Sequence, residues 1–291
     1  MFPHPGRPAR RQIRLLAPPV LLAMLASGLV APQVARGAAA DLPLGDRDLL
    51  EVRVVEQVTD GVELTRIVRG VVPAEAATIP TTTRGPWRVT ILSIDPDQAR
   101  GHLQAAYGPD LAQSEPTSRL VRSVGGLAGV NASFFTFTKD PAHPGDPVGL
   151  GLYRGTVSSE PAAVKPEVDF VVDAKTGRVV IGHLTWTGRM KNRKTGDTLG
   201  LEFLNHPPVV PKSCATLKDP TDCRKSGDVV HFQSLFGPTP AGRGAEVVLD
   251  KSGCVVRAVK KRGTTLTRSQ TSVQATGRET GKLLKLVKRV V

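Results

Sequence analysis

The chain has 291 residues, of which 40% are hydrophobic, and a formal net charge of +13 at neutral pH. This hydrophobic content is sufficient for a packed core and excludes a wholly disordered protein. Aromatic residues make up only 4% of the chain, whereas there are 29 glycines and 24 prolines. The composition therefore favours many short strands joined by turns over long helices.

The positive charge is concentrated at the two ends of the chain. Residues 1–40 contain five arginines and no acidic residue, and residues 251–291 contain 11 lysines or arginines against Glu279 alone. Residues 41–250 contain 23 basic and 25 acidic residues and are nearly neutral. A nucleic-acid-binding protein needs a positive face rather than two positive ends, so we expect no nucleic-acid partner.

Residues 1–40 have the pattern of a secretory signal peptide. Four arginines between residues 7 and 14 precede an apolar run over residues 15–30, and three alanines follow at residues 38–40. Cleavage is expected near residue 37 or 40. A membrane anchor is the alternative, but two prolines interrupt an apolar run that is short beside the ~20 residues of a bilayer span. We expect a secreted, extracytoplasmic protein with no stable membrane insertion after cleavage.

The first elements after the signal are predicted to be strands. Period-two alternation of apolar and polar side chains is typical of strands with one buried face. Complete or partial alternation of this kind occurs at residues 53–55, 62–69, 87–95 and 102–107.

A short helix and a further strand follow. The helix is predicted through residues 119–122, with Ser114 or Thr117 as its N-cap and glycines at residues 125–126 to end it. The apolar run at residues 127–130 is expected to be a buried strand. This order of strands and helix predicts an α+β fold, with a β-rich mixed sheet and few short helices.

The rest of the chain is predicted to be rich in β-hairpins. Three turn-forming segments separate apolar runs, at residues 173–177, 191–196 and 250–253. After the signal we therefore divide the chain into an N-terminal part of the domain (41–160), a long β-rich insertion (161–275) and a basic amphipathic helix (276–291). A core-facing helix is favoured, and a membrane-surface helix is the alternative.

The sequence Gly-Val-Asn-Ala-Ser-Phe-Phe at residues 129–135 is the most informative segment for function. A buried strand that ends in small polar residues commonly presents them to a cleft. In a strand, Asn131 and Ser133 would point to the same side. The Asn131 amide can both donate and accept, which suits sugar hydroxyls or phosphate oxygens. The alternative is that Asn131 satisfies backbone groups at the end of the strand.

Two carboxylates after this motif are further candidates. Asp146 closes a loop that also contains Asp140 and His143, and these three could line a cleft or hold a divalent cation; turn formation is the commoner explanation. Gly149 would let the backbone approach a ligand closely. Glu160 follows a strand-like run, so it is a candidate general acid or base, or else a solvated carboxylate.

The remaining candidates for structural or functional sites are the cysteines and a polar corner. Cys214 and Cys223 flank a polar loop that a local disulfide could close in an exported protein, which would leave Cys254 without a partner. No paired C-x-x-C spacing is present, so a metal site is not indicated and no cofactor is implied. The corner at residues 205–208, Asn-His-Pro-Pro, is interpreted as mainly structural.

Residues 128–135 and 144–149 resemble the phosphodiester glycosidase family, which includes N-acetylglucosamine-1-phosphodiester alpha-N-acetylglucosaminidase. That family has a strand ending in N-G-G-F-F, then a loop, then a P-x-G segment. The resemblance implies hydrolysis of a sugar-1-phosphodiester or a related sugar-phosphate or glycan substrate, in cell-envelope or exopolysaccharide metabolism in bacteria. It makes Asn131 the strongest active-site position, with Ser133 and Phe135 beside it and Gly149 shaping the pocket.

The family's second motif, N-L-D-G-G-G-S-S, does not occur in this sequence. We therefore expect the chain to hold the first half of such a domain together with an insertion, and to be truncated. Glu160 is the candidate catalytic acid alongside Asn131, and Asp146 is a candidate substrate-binding residue. The alternative function is a non-catalytic secreted protein that binds carbohydrate or the cell envelope.

Overall fold

Strands dominate the part of the chain that the structure describes. The computed structural model describes residues 44–70, 83–132, 134–135, 142–162, 167–173 and 175–288. Within these ranges there are 16 strands and two α-helices, so the fold is mostly β with few helices. No helix in the described ranges is long and apolar enough to cross a bilayer. The expected signal peptide lies outside them.

The chain forms two compact units, residues 1–101 and 102–291. The first unit contains an antiparallel sheet of three strands in sequence order: β1 (Glu51–Thr59), β2 (Val62–Arg69) and β3 (Trp87–Ile94). Alternation predicted β2 and β3, whereas β1 extends beyond the predicted residues 53–55. The turn from β1 to β2 requires Gly61, because its φ is +69° and an added Cβ would lie 2.4 Å from the backbone nitrogen of Ala99.

The second unit begins with an irregular segment and the helix α1 (Thr117–Ser123). The candidate strand at residues 102–107 is not formed. Pro116 occupies the N-cap of α1 and makes no side-chain cap hydrogen bond, so the prediction of Ser114 or Thr117 was wrong. Proline fits this position because its φ is close to that of a helix and it has no N–H to satisfy.

Four antiparallel pairs of short strands follow along the chain. They are β4 (Phe134–Phe135) with β5 (Pro147–Val148), β6 (Gly151–Tyr153) with β7 (Thr156–Ser159), β8 (Asp169–Val172) with β9 (Val179–Gly182), and β10 (Gly188–Lys191) with β11 (Thr198–Leu201).

Local hydrogen bonds explain where these hairpins turn. Asp173 accepts from the backbone nitrogen of Lys175, and Asn192 accepts from that of Lys194, at 2.9 Å each. Turns therefore form at two of the predicted segments, residues 173–177 between β8 and β9 and residues 191–196 between β10 and β11. The strand-like run before Glu160 is instead the β6–β7 hairpin, because Arg154 and Gly155 both have positive φ and reverse the chain.

The centre of the second unit is a five-stranded sheet in the order β12-β13-β16-β14-β15. Its strands are β12 (Phe203–Leu204), β13 (Val229–Gln233), β14 (Gly242–Leu249), β15 (Val255–Arg262) and β16 (Thr271–Ala275). The short strand β12 runs parallel to β13, and the other pairs are antiparallel. Parallel pairing joins segments that are distant in sequence, which no local pattern announces.

The second helix, α2 (Glu279–Lys288), packs on one face of this sheet. Leu283 and Val287 are buried in a cluster with Val229, Val247 and Val273. The lysines of α2 are exposed on its opposite side. The apolar face of the C-terminal segment is therefore part of the core, because burial of apolar area stabilises a short helix more than its intrinsic propensity does.

The other face of the sheet carries a second cluster, in which Leu111 and Ala112 pack with Val230, Phe232 and Phe236. Residues before and after position 160 thus share one core. The two compact units divide at residue 101, and the structure does not set residues 161–275 apart as a separate body.

A buried polar network lies on the face of the sheet that carries the second cluster. Its centre is the fully buried Glu246, whose carboxylate accepts from Thr239 Oγ1, Ser272 Oγ, Gln274 Nε2, the Gly263 backbone nitrogen and Thr264 Oγ1. Arg262 is also buried and donates to Gln274 at 3.0 Å. Burial lowers the pKa of Arg262 to about 10, although the charge of Glu246 opposes this.

The cysteines form one local bridge. Cys214 and Cys223 are joined by a disulfide, with their Cα atoms 5.4 Å apart. Cys254 is exposed and has a free thiol. The disulfide closes the polar loop between these two cysteines. Two short 3-10 turns, Lys212–Cys214 and Pro220–Asp222, lie at the two ends of this loop.

We predict that Glu246→Ala destabilises the second unit by about 3 kcal/mol, because it leaves several buried donors without an acceptor. The free energy of unfolding would be measured by urea denaturation. Glu167→Ala, which removes an exposed carboxylate, is the matched control and should change stability by less than about 0.5 kcal/mol. Equal effects of the two substitutions would contradict a structural role for the network.

Candidate functional site

The asparagine motif does not lie at the end of a buried strand. Leu127 and Val130 are 61% and 82% exposed, and residues 127–132 form no strand. The expectation of a buried apolar approach was therefore wrong. The run is short, does not alternate and is flanked by glycines, so nothing local commits it to a strand. Asn131 is exposed, and Ser133 lies outside the described residues.

The motif is nevertheless joined to the segment that contains Asp146. Phe135 in β4 pairs with Pro147 in β5, the residue immediately after Asp146. Phe135 itself is exposed, as is Phe134. The sheet pairing therefore places the exposed end of the motif beside one of the predicted carboxylates.

Asp146 is almost completely buried, at 2% exposure. Its backbone is held because the Gly145 nitrogen donates to the Ala112 carbonyl at 2.7 Å. Only glycine fits there, since an added Cβ would lie 2.0 Å from the carbonyl oxygen of Gln113. Asp146 Oδ2 accepts from His206 Nδ1 at 2.8 Å, whereas Oδ1 has no hydrogen-bond partner among the described residues. A buried carboxylate oxygen with no donor is unusual and points to a functional group.

Glu160 reaches the same region from the end of β7. Gly149, with φ of +81°, lets the chain turn into β6, and its carbonyl accepts from Ser159 Oγ at 2.7 Å. The Glu160 carboxylate then accepts from the backbone nitrogen of Leu204 at 2.8 Å.

His206 is the residue that the sequence interpretation missed, because the corner at 205–208 was taken as structural. It directly follows Asn205, and its ring lies 5.1 Å from that of Phe203. Its side chain is one-third exposed, so a ligand can reach it, whereas its partner Asp146 is shielded. No local signal in the sequence distinguishes this histidine, because its partners come from distant segments.

The pKa of His206 reflects two opposing effects. Burial alone lowers the pKa of the imidazole, but the hydrogen bond to Asp146 and the charges of Asp146, Glu160 and Asp228 together raise it above its ordinary value. The folded protein therefore favours the charged form of His206 more than water does.

The pKa of Glu160 is also raised. Burial is the main cause, because it disfavours the carboxylate, and the charge of Asp146 acts in the same direction. The hydrogen bond from Leu204 and the charge of His206 oppose the increase without cancelling it. A carboxyl group whose acid form persists nearer to neutral pH is suited to proton donation.

The site therefore combines a carboxyl group whose pKa is raised with an imidazole that is held by Asp146 and whose pKa is also raised. Among the described residues no set of three histidine, cysteine or acidic side chains is arranged to hold a metal ion. Within the loop proposed as a cation site, Asp140 lies outside the described residues, and the ring of His143 stacks on Phe236 at 5.4 Å.

We predict that Asp146→Asn lowers the pKa of His206, because it removes the charge that opposes burial. The measurement is an NMR titration of the imidazole. The stability contributed by this pair is fully present below about pH 6.5 and is lost as pH rises through the raised pKa. Asp146→Asn should therefore cost more stability at low pH than at high pH.

The control for this titration is Asp173→Asn, which changes an exposed carboxylate in a hairpin turn. It should leave the titration of His206 as it is in the unsubstituted protein. An unchanged His206 pKa in Asp146→Asn would show that the pair does not set the charge of the imidazole.

Comparison with known proteins identifies a structural relative but no family. No protein-family model matches the sequence, and no curated protein matches it. The fold is similar to that of a crystal structure named "Putative exported protein" from Burkholderia pseudomallei K96243, with a TM-score of 0.66 and 21% sequence identity. The similarity covers 85% of this chain and 68% of that chain. At this identity the comparison establishes a shared fold.

Proposed function

We propose that this chain is an exported phosphodiester glycosidase-like protein that hydrolyses a sugar-1-phosphodiester. The observation that carries the proposal is that Leu204 donates to Glu160 while His206, two residues later, pairs with Asp146 at the start of β5, so that the charges of these groups act on one another. The motifs that resemble the glycosidase family lie in these same strands and their flanks. Export is supported by the signal-like pattern of residues 1–40 and by the name of the structural relative, an exported protein.

Each group has a defined role in the proposed reaction. Protonated Glu160 donates its proton to the oxygen that links the sugar to phosphate, and the bond from that oxygen to the anomeric carbon breaks. Water adds to the anomeric carbon, and the proton that it loses returns to the Glu160 carboxylate. Cationic His206 offsets the negative charge of the departing phosphate. The products are the free sugar and a phosphorylated acceptor.

Asn131 would bind the substrate in this scheme. Its amide can donate to a phosphate oxygen and accept from a sugar hydroxyl, and it lies at the exposed approach to β4. Ser133, Phe135, Asp146 and Gly149 complete the proposed substrate-binding set. The same proposal includes the fold, which would be an α+β domain of this family with a hairpin-rich insertion.

A second candidate function is binding of carbohydrate without catalysis. The observation that favours it is the exposure of Phe134 and Phe135 next to Asn131, because aromatic rings beside an amide can stack on sugars and form hydrogen bonds with them. This surface requires neither Glu160 nor His206. The hydrolase therefore requires Glu160 and His206 in addition to this surface, whereas carbohydrate binding requires the surface alone.

We predict that Glu160→Gln lowers the rate of sugar release by about 10²–10⁴-fold, because the proton donor is lost. The assay follows free sugar released from synthetic methyl esters of hexose-1-phosphates and N-acetylhexosamine-1-phosphates. The rate should fall as pH rises through the raised pKa of Glu160, since the acid form is then depleted. Glu167→Gln is the matched control and should retain full activity.

The assay also separates the two functions. No turnover of any ester by the unsubstituted protein would reject the hydrolase. Calorimetric binding of the same esters that is lost in Asn131→Ala but kept in Glu160→Gln would then support the carbohydrate-binding function.

A further inference from the structure

Asn205 has an unusual backbone and is completely buried. Its φ is +51°, and its exposed fraction is 0%. Among the described residues other than glycine, Arg154 also has a positive φ, but it lies in the exposed β6–β7 turn. Asparagine tolerates the left-handed region better than most residues, yet a buried position of this kind still needs support from its surroundings.

The side chain of Asn205 joins two strands. Its amide nitrogen donates to the Ser158 carbonyl in β7 at 2.8 Å and to Gln233 Oε1 in β13 at 3.0 Å. Its amide oxygen accepts from the backbone nitrogen of Gln233 at 2.7 Å. In addition, its own backbone nitrogen donates to the His231 carbonyl at 2.8 Å. The hydrogen bonds therefore fix Asn205 to both strands at once.

The residues on either side of Asn205 hold the two functional groups. The backbone nitrogen of Leu204 donates to Glu160, and the ring of His206 donates to Asp146. A rotation of the backbone at Asn205 would move both contacts together. Ser158, whose backbone carbonyl accepts from Asn205, lies two residues before Glu160, so the same hydrogen bond also holds the segment that leads into Glu160.

We infer that Asn205 is a positioning residue that sets the separation between Glu160 and the His206–Asp146 pair. The catalytic meaning of this role rests on the proposed function, whereas the placement of His206 can be measured without it. Glycine would accept the positive φ but would lose every side-chain hydrogen bond. Asparagine supplies both the conformation and the bonds.

The groups that face His206 come from three parts of the second unit. Asp146 precedes β5, Glu160 follows β7 and Asp228 precedes β13, and each of them favours the imidazolium when it is ionised. The ring of Phe203 contacts the imidazole from β12. Displacement of His206 from Asp146 would leave burial as the larger influence and would lower its pKa.

The test compares Asn205→Gly with Arg154→Gly. Both substitutions place glycine at a positive φ, but only the first removes the hydrogen bonds to β7 and β13. We expect Asn205→Gly to lower the pKa of His206 in an NMR titration and Arg154→Gly to leave it unchanged. A titration of His206 in Asn205→Gly identical to that of the unsubstituted protein, even with a lower melting temperature, would reduce Asn205 to a structural role.

A second variant keeps the inference testable if Asn205→Gly fails to fold. Gln233→Leu removes one acceptor of the Asn205 amide without altering the backbone at Asn205, and it should lower the pKa of His206 in the same direction by a smaller amount. An unchanged pKa in that variant would then overturn the inference.

Activity provides an independent measurement. If the protein hydrolyses the sugar-1-phosphodiesters, Asn205→Gly should reduce kcat by about 10²-fold with a smaller change in KM, because misplacement affects the reaction more than binding. A lowered His206 pKa without hydrolysis by any variant would retain the positioning role and reject the proposed function. If Asn205→Gly hydrolyses the esters with an unchanged kcat and an unchanged His206 pKa, the proposed function is retained and the positioning role of Asn205 is rejected.

Discussion

The pairing of β16 with both β13 and β14 is the interaction on which the second unit depends. This strand comes late in the described chain but lies in the middle of the five-stranded sheet. Val273 and Ala275 face the cluster that buries α2, whereas Ser272 and Gln274 bind Glu246. Both faces of the sheet are therefore completed by a segment that must find partners far away in the sequence, which makes long-range contacts central to folding.

Two kinds of buried carboxylate distinguish the structural part of the unit from its candidate site. Glu246 is surrounded by donors, so its burial specifies the packing of β14, β15 and β16 and leaves no oxygen available to a ligand. Asp146 is equally hidden but has one oxygen without a donor, and Glu160 is bound through one backbone nitrogen. Incomplete satisfaction of buried carboxylates is typical of functional groups, whereas complete satisfaction is typical of structural ones.

Local patterns predicted part of the fold. Alternation identified β2 and β3, and turn chemistry at Asp173 and Asn192 identified the hairpins from β8 to β11. The strands β13 and β16 were not predicted, because each is a short segment between irregular stretches and is recognisable only by its partners. For the site, the sequence indicated Asp146 and Glu160, but it placed Asn131 at the end of a buried strand that does not exist and interpreted the corner containing His206 as structural.

The sequence by itself determined the elements whose causes are local: short strands joined by turns, hairpins at glycine- and asparagine-containing turns, an amphipathic C-terminal helix and two candidate carboxylates. Tertiary structure alone decided which of these residues meet. The parallel pairing of β12 with β13 brings the Leu204–His206 turn to Glu160, and the loop before β5 buries Asp146 against His206. The raised pKa values of His206 and Glu160 exist only after this assembly, because the first is caused by the neighbouring Asp146, Glu160 and Asp228 and the second chiefly by burial.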